Sequence, residues 1–101
     1  MTKPRYKEFR EHLLQKLKNP EAALAYLNEA SRDEDQRVFL LALKNVSDAQ
    51  GCDISTLSHD TQLSRQSVYK VLSEKGNPKL SSLKLILNKL GYEIALQPLK
   101  R

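Results

Sequence analysis

Residues 54–72 constrain the fold of this 101-residue chain more than any other segment, because they encode two short helices with almost nothing between them. Four residues of the first helix fall on one face at helical spacing: Ile54, Leu57, Ser58 and Thr61. Leu63 is an isolated apolar residue, and Ser64 is then placed to cap a second helix. Only a tight turn fits between the two, so we predict a helix, a short turn and a second helix.

The second predicted helix has distinct apolar and polar faces. Its inner face consists of Val68, Val71 and Leu72. Its outward side chains are long and can form hydrogen bonds: Arg65, Gln66, Tyr69 and Lys70. A helix-turn-helix needs this arrangement, because its first helix supports the second, which offers such side chains to the major groove of DNA. The segment therefore predicts a DNA-binding motif.

Positive charge is concentrated at the two ends of the chain. Residues 1–18 carry six Lys and Arg against two Glu, a net charge of +4, and residues 64–101 carry eight against two, a net charge of +6. Residues 19–63 carry three Lys and Arg against eight Asp and Glu, a net charge of −5. The basic C-terminal part begins where the second helix begins, as attraction to phosphates requires. The alternative is that its lysines only make helix surfaces soluble.

The composition excludes several classes of protein. At 101 residues the chain has room for one globular domain with a modest core. Its hydrophobic share of 40% and charged share of 29% are typical of such a domain. No apolar run is long enough for a membrane span, and the N-terminus lacks a signal-peptide core. A lone Cys52 cannot form an internal disulfide, which fits the cytoplasm. His12 and His59 are too scattered to form a metal cluster with it, so we expect no metal, no cofactor and no enzyme.

Two helices are predicted in the N-terminal third. The first is amphipathic and extends from about residue 6 to residue 18, with apolar residues at Tyr6, Phe9, Leu13 and Leu17. Asn19 is expected to cap the second helix, with Pro20 at its first position and Glu21 at the positive end of its dipole. The inner stripe of this second helix is predicted to be Leu24, Leu27 and Ala30.

A third helix is predicted to begin at Ser31-Arg32-Asp33-Glu34, which matches a capping box, and Gly51 can end it. Residues 38–43 are apolar nearly all the way round, so this helix needs cover on more than one side. The helix-turn-helix can cover one side. The N-terminal helices or a partner protein would cover the other.

The C-terminal part has one further helix and an extended tail. Residues 75–78 signal a turn, and the helix after it ends at Gly91 and has an apolar face of Leu80, Leu83, Leu87 and Leu90. Tyr92, Ile94 and Leu96 would lie on one side of an extended strand, whose edge needs a partner. One possibility is that a second copy of the chain provides this partner. The alternative is that the tail packs along its own domain and forms no strand pair.

We therefore predict an all-α fold: a single helix-turn-helix domain of about six helices, with a possible short C-terminal strand. Residues 1–32 would form N-terminal helices that pack on the core or on a partner. Residues 33–91 would form the helix-turn-helix domain, and residues 92–101 an extended tail.

Aligned on its turn, the central segment resembles the helix-turn-helix of the phage-repressor-like family of transcription regulators. The resemblance rests on Leu57-Ser58, Leu63-Ser64-Arg65, Val68, Asn77-Pro78 and Leu90-Gly91. Three positions depart from the family pattern: Ser58 replaces a small Ala, Thr61 an apolar residue, and Gln62 the Gly of the turn. We expect Gln62 to cost stability, because residues other than glycine are disfavoured at positive φ.

A narrower resemblance covers most of the chain. It rests on Ala25-Tyr26-Leu27-Asn28-Glu29-Ala30, on residues 35–43 and on residues 68–78, where Leu-Ser-Glu-Lys-Gly-Asn-Pro is fairly specific. These segments look like those of bacterial addiction-module antidotes, the HigA-like antitoxins that are paired with small RelE-type toxins. The resemblance implies an antitoxin that binds its toxin and, as a homodimer, represses their shared operon. The alternatives are a stand-alone phage-type regulator without a toxin, and a protein that only neutralises a toxin.

Nine residues are the candidates for contact with a double-stranded DNA operator: Ser55, Ser64, Arg65, Gln66, Ser67, Tyr69, Lys70, Asn77 and Lys79. Arg65 can pair with O6 and N7 of guanine, and Gln66 with N6 and N7 of adenine. Tyr69 and Lys70 lie one turn further on, within reach of a thymine methyl group, a phosphate or both.

The remaining candidates suit the DNA backbone. The three serines are short donors for phosphate oxygens, and Asn77 and Lys79 could clamp the backbone from the loop before the last helix. For Ser64 a role as a helix cap is an equal alternative, and for Tyr69 the alternative is a partly buried core residue. The acidic middle of the chain, with its net charge of −5, would suit a basic ribonuclease toxin.

Overall fold

The computed structural model describes residues 3–73 and 76–100, and in these ranges the chain forms six helices and no strand. In chain order they are α1 (Lys3–Lys16), α2 (Pro20–Ser31), α3 (Gln36–Ala49), α4 (Ile54–Thr61), α5 (Arg65–Leu72) and α6 (Leu80–Leu90). The all-α prediction with about six helices is thus confirmed.

The start of α2 follows the prediction from its capping residues. The side-chain oxygen of Asn19 accepts hydrogen bonds from the backbone N–H groups of Glu21 at 2.9 Å and Ala22 at 3.1 Å. Leu27 and Ala30 are buried as expected. Leu24, however, is exposed, and the third buried residue of this helix is Ala23. The predicted inner stripe is therefore wrong at Leu24.

The predicted capping box of α3 is wrong. Ser31 belongs to the last turn of α2, where its hydroxyl donates to a backbone carbonyl three residues earlier at 2.7 Å. The N-cap of α3 is Asp35, whose carboxylate accepts a hydrogen bond from the backbone N–H of Arg37 at 3.0 Å. Asp33 orders the turn between the helices, because its carboxylate accepts from the N–H of Asp35 at 2.8 Å.

α3 is the central helix of the fold. α1 and α2 pack on it from the N-terminal side of the chain, and α5 packs on it from the C-terminal side. Leu40, Leu43 and Val46 are therefore buried, whereas Val38 and Leu41 remain exposed. The N-terminal helices cover most of the apolar surface that the sequence left open to a partner.

α1 is attached to α3 by a polar contact. The Arg10 guanidinium donates to the side-chain oxygen of Asn45 at 2.9 Å and to the carboxylate of Asp48 at 2.7 Å. Leu17, just after α1, is buried, but Tyr6 and Phe9 are exposed. The predicted helical periodicity of this segment is confirmed, and only the C-terminal part of its apolar face enters the core.

A single hydrophobic core unites the N-terminal helices with α3 to α6. Its buried members are Leu17, Ala23, Leu27, Ala30, Ala42, Leu43, Val46, Leu57, Val68, Val71, Leu72, Ile86, Leu87 and Leu90. Gly51 and Gly91 follow α3 and α6 at φ values of 74° and 102°, the left-handed conformation that favours glycine. Both helix ends agree with the sequence.

The described tail, residues 92–100, has no regular secondary structure. Its first part packs on its own domain, since the Tyr92 backbone N–H donates to the Leu87 carbonyl at 2.8 Å and the Tyr92 hydroxyl to the Pro20 carbonyl at 3.4 Å. Its second part extends away, with Leu96 and Leu99 exposed. The strand considered for this segment does not form in the single chain.

Candidate nucleic-acid interface

Two capping side chains fix where α4 and α5 begin. The Asp53 carboxylate accepts a hydrogen bond from the backbone N–H of Thr56 at 2.8 Å, and this bond holds the pKa of Asp53 below its usual value. The Ser64 hydroxyl oxygen accepts a hydrogen bond from the backbone N–H of Ser67 at 3.1 Å. Ser64 is thus the cap of α5, and the two serine hydroxyls are also 3.1 Å apart.

The turn between these helices is tight and carries backbone strain. Gln62 has φ 66° and ψ 15°, so it adopts the left-handed conformation that the sequence led us to expect. Its neighbours that depart from the phage-repressor pattern bind the backbone of the same turn. The Ser58 hydroxyl donates to the Leu63 carbonyl at 2.6 Å, and the Thr61 hydroxyl oxygen accepts a hydrogen bond from the backbone N–H of Leu63 at 3.3 Å. These polar replacements therefore support a turn that lacks its glycine.

The side chains of α5 divide between the core and the surface as the sequence predicted. Val68, Val71 and Leu72 are buried against the core. The outward face of the helix consists of Arg65, Gln66, Tyr69 and Lys70, all exposed.

An open concavity of about 710 Å³ lies between the starts of α4 and α5. It is lined by Ile54, Ser55, Arg65, Gln66, Tyr69 and Lys70. A second concavity of about 400 Å³ adjoins it along α5 and is lined by Tyr69, Lys70, Ser73, Gly76 and Asn77. Six of the nine candidate residues therefore share one continuous surface.

The loop after α5 lies close to that helix at Gly76. A Cβ atom at this position would overlap the backbone carbonyl oxygen of Lys70, so only glycine fits there. This close approach places Asn77 beside Tyr69 and Lys70. Lys79 is exposed at the N-cap of α6 and lines neither concavity.

The positive charge on this surface is not neutralised within the described part of the chain. Arg65, Lys70 and Lys79 form no ion pair with any described carboxylate, although Arg65 is close enough to Asp53 to contribute to its lowered pKa. Other cations are paired: Lys89, for example, is 2.8 Å from the Asp60 carboxylate. Unpaired cations beside hydrogen-bonding side chains suit a polyanionic ligand.

Comparison with known proteins assigns the chain to a family. The family model described as a probable addiction module antidote protein matches residues 6–98. The chain belongs to this antidote family. A protein of Haemophilus influenzae, described only as uncharacterised, is 28% identical to it over 81 residues, which cover 80% of this chain and 81% of that protein. No solved structure matches the chain.

Family membership confirms the resemblance to addiction-module antidotes that the sequence indicated. An antidote acts on a toxin, so the family implies a toxin partner for this protein. No described helix combines the length and the apolar character needed to cross a membrane. Across residues 3–73 and 76–100, no three His, Cys, Asp or Glu side chains are grouped as metal ligands would be.

One residue of the antidote's candidate surface was missed by the sequence analysis. Ile54 was assigned to the inner face of its helix, and it does pack against the core. Because it is the first residue of α4, part of its side chain also lines the concavity beside Tyr69. Ile54 directly precedes Ser55, which was a candidate for contact with DNA. This position is the signal that could have identified Ile54 as part of the same surface.

Proposed function

We propose that this antidote is a helix-turn-helix, DNA-binding antitoxin that neutralises a RelE-type toxin and, as a dimer, represses its own operon. The observation that carries the proposal is the outward face of α5, where long hydrogen-bonding side chains stand together with cations that have no carboxylate partner among the described residues. Family membership supports the antitoxin role, and the α5 surface supports the repressor role.

In this proposal α5 enters the major groove and reads base edges with its first turn. Arg65 would pair with O6 and N7 of a guanine, and Gln66 with N6 and N7 of an adenine. Both side chains are exposed and line the same concavity, so adjacent bases are within the reach of one helix turn. The Ser64 cap fixes where α5 begins and therefore which residues form its first turn.

The DNA backbone would be bound on both sides of α5. Ser55 lies across the concavity from the helix, and Asn77 lies in the loop after it. Lys70 and Lys79 would supply the charge that neutralises phosphates. Ser67 already shares its hydroxyl with the Ser64 cap, so it would donate to a phosphate from that fixed position.

The toxin would bind before α4, on residues 20–46. This segment belongs to the acidic middle of the chain and exposes the apolar side chains of Leu24, Val38 and Leu41. A toxin that acts on RNA is expected to be basic, so charge complementarity would speed the encounter and the apolar residues would hold the complex.

Operator binding is tested with the DNA upstream of the antidote's own gene. The full-length protein should bind one duplex from this region at least about 1,000-fold more tightly than random duplex at moderate salt, measured by fluorescence anisotropy. Equal affinity for all duplexes would contradict specific repression. A protein that binds no duplex but captures a toxin would be an antidote without a repressor role.

Toxin binding is tested by co-expression with the neighbouring genes, followed by affinity capture of a toxin encoded there. Leu41→Lys should weaken the captured complex, because it places a cation on the surface proposed to meet a basic toxin. Leu85→Lys on α6 is the matched control, since Leu41 and Leu85 are 45% and 43% exposed. An operator-binding protein that captures no neighbour-encoded protein would be a stand-alone regulator.

A further inference from the structure

We propose that Ile54 and Tyr69 form an apolar subsite that binds the C5 methyl group of a thymine in the operator. The inference rests on the proposed DNA-binding function and specifies a base contact that Arg65 and Gln66 do not explain. It assigns a ligand to the apolar part of the candidate surface, to which Ile54 and the ring of Tyr69 contribute.

The subsite is apolar although it lies among charged residues. Most of the surface that lines the concavity between α4 and α5 is apolar, and Ile54 and the Tyr69 ring contribute to it. Tyr69 is 61% exposed, so its ring is available to a ligand. The Tyr69 hydroxyl has no hydrogen-bond partner among the described residues, so no described hydrogen bond fixes the ring in place.

DNA offers one chemical group that fits such a subsite. In the major groove the base edges present hydrogen-bond donors and acceptors, and the only apolar group there is the C5 methyl of thymine. A surface that combines unpaired cations with an exposed apolar notch is therefore complementary to a phosphate backbone and a thymine methyl together.

The position of the subsite predicts which thymine is bound. Tyr69 follows Arg65 by four residues, so both side chains lie on the same face of α5, about 6 Å apart along its axis. Successive base pairs are about 3.4 Å apart. The thymine should therefore lie one or two base pairs from the base read by Arg65.

The test replaces each operator thymine in turn with deoxyuridine, which removes the C5 methyl and leaves every hydrogen-bonding group in place. We expect one position in each half-site to weaken binding of the wild-type protein about fourfold, the value for one buried methyl group. That position should lie one or two base pairs from the position where Arg65→Ala relaxes base preference.

Four variants identify the side chain responsible. Tyr69→Ala should bind the thymine and uracil duplexes equally, because the methyl group has lost its contact. Tyr69→Phe should keep the uracil penalty, since the ring is retained. Tyr6→Ala removes a similarly exposed tyrosine from α1 and should also keep the uracil penalty. Ile54→Val, which shortens a partly buried side chain by one methyl group, should reduce the penalty without unfolding the protein.

The outcomes separate the subsite from the proposed function. A protein that binds its operator specifically but shows no uracil penalty at any position would overturn the subsite and leave the repressor role intact. A penalty that is unchanged in Tyr69→Ala would likewise place the methyl contact elsewhere. A protein that selects no duplex would overturn the repressor role itself.

Discussion

Gln62 has a strained backbone and lies in the turn that sets the orientation of α5 relative to α4. At φ 66° the Cβ atom of Gln62 carries a steric cost that glycine avoids. The Ser58 and Thr61 hydroxyls offset part of that cost through their hydrogen bonds to the Leu63 backbone. The angle between α4 and α5 is therefore maintained by side-chain hydrogen bonds in addition to core packing. A more relaxed turn should stabilise the fold.

We expect Gln62→Gly to raise the free energy of unfolding by about 0.5–1 kcal/mol, because it removes the steric cost at positive φ. Chemical denaturation measures the change. Glu11→Gly, at an exposed position in the interior of α1, is the control and should lower stability by about 1 kcal/mol. If both substitutions destabilise the protein alike, the turn is not strained.

Arg65 and Lys79 should differ in how their loss affects DNA binding. Arg65→Ala should cost about 1–3 kcal/mol and relax preference at one base position, because a bidentate base contact is lost. Lys79→Ala should weaken binding to all duplexes alike. It should also make the affinity less dependent on salt concentration, by the amount expected for about one phosphate contact. Binding titrations at several salt concentrations distinguish the two. Unchanged operator affinity in both Arg65→Ala and Gln66→Ala would show that α5 is not the recognition helix.

At the scale of the helix, α4 depends on a cap that titrates. The hydrogen bond from the Thr56 N–H lowers the pKa of Asp53, so the folded state favours the carboxylate. A lowered folded-state pKa contributes stability above the unfolded value, which is about 3.8, and this contribution is lost as the pH falls through the folded value. The cap therefore stabilises α4 at neutral pH and fails in acid.

We expect Asp53→Ala to lower the thermal midpoint at pH 7, and we expect its difference from the wild type to shrink as the pH falls through the lowered pKa of the Asp53 carboxylate. Asp53→Asn keeps an uncharged capping oxygen and is the control, so it should lose less stability than the wild type between pH 7 and pH 3. A wild-type protein and Asp53→Asn that lose stability in parallel would show that other carboxylates, such as Asp35 and Asp60, account for the acid sensitivity.

Local capping rules predicted helix starts well where one candidate cap stood alone. Asn19 precedes a proline and Ser64 follows an isolated leucine, and both cap their helices. Between α2 and α3, however, Ser31, Asp33 and Asp35 all lie within five residues and each can accept a backbone hydrogen bond. The choice among them depends on how α2 and α3 pack, and that packing is not encoded in the capping residues themselves.

Periodicity likewise predicted the side of a helix on which a residue lies, but it did not predict whether that residue is buried by the rest of the fold. Tyr6, Phe9 and Leu24 have the expected spacing, but they are 69%, 66% and 46% exposed. Periodicity also failed to identify Ile54 as a surface residue, because its side chain is partly in the core and partly on the surface. The outward residues of α5 were predictable because Val68 and its buried neighbours fix the orientation of that helix.

At the scale of the whole molecule, two proposed surfaces lie on different parts of the chain. The side chains proposed to face DNA come from α4, α5 and the loop after α5, and the proposed toxin surface comes from α2 and α3. One protomer can therefore offer both surfaces at once. A single recognition helix contacts few base pairs, however, so specific repression requires a second protomer on a half-site about one DNA turn away.

The tail is the surface that we propose for joining two protomers. Tyr92 is held by its own domain, whereas Ile94 is 43% and Leu96 95% exposed, and the described tail has unpaired backbone groups. Two tails related by a two-fold axis could pair as antiparallel strands, and Pro98 would limit that pairing because it has no N–H to donate.

Deleting residues 94–101 should therefore give a folded monomer that retains Tyr92 in its packed position and binds the operator on the order of 100-fold more weakly, because two linked half-site contacts become one. Sedimentation velocity measures the oligomeric state, and operator titration measures the affinity. Leu96→Lys should have the same effect, while Leu80→Lys, at an exposed position on α6, should leave the dimer intact. A dimer that survives the deletion would place the interface elsewhere, and the exposed residues Val38 and Leu41 on α3 would then be the surface to test.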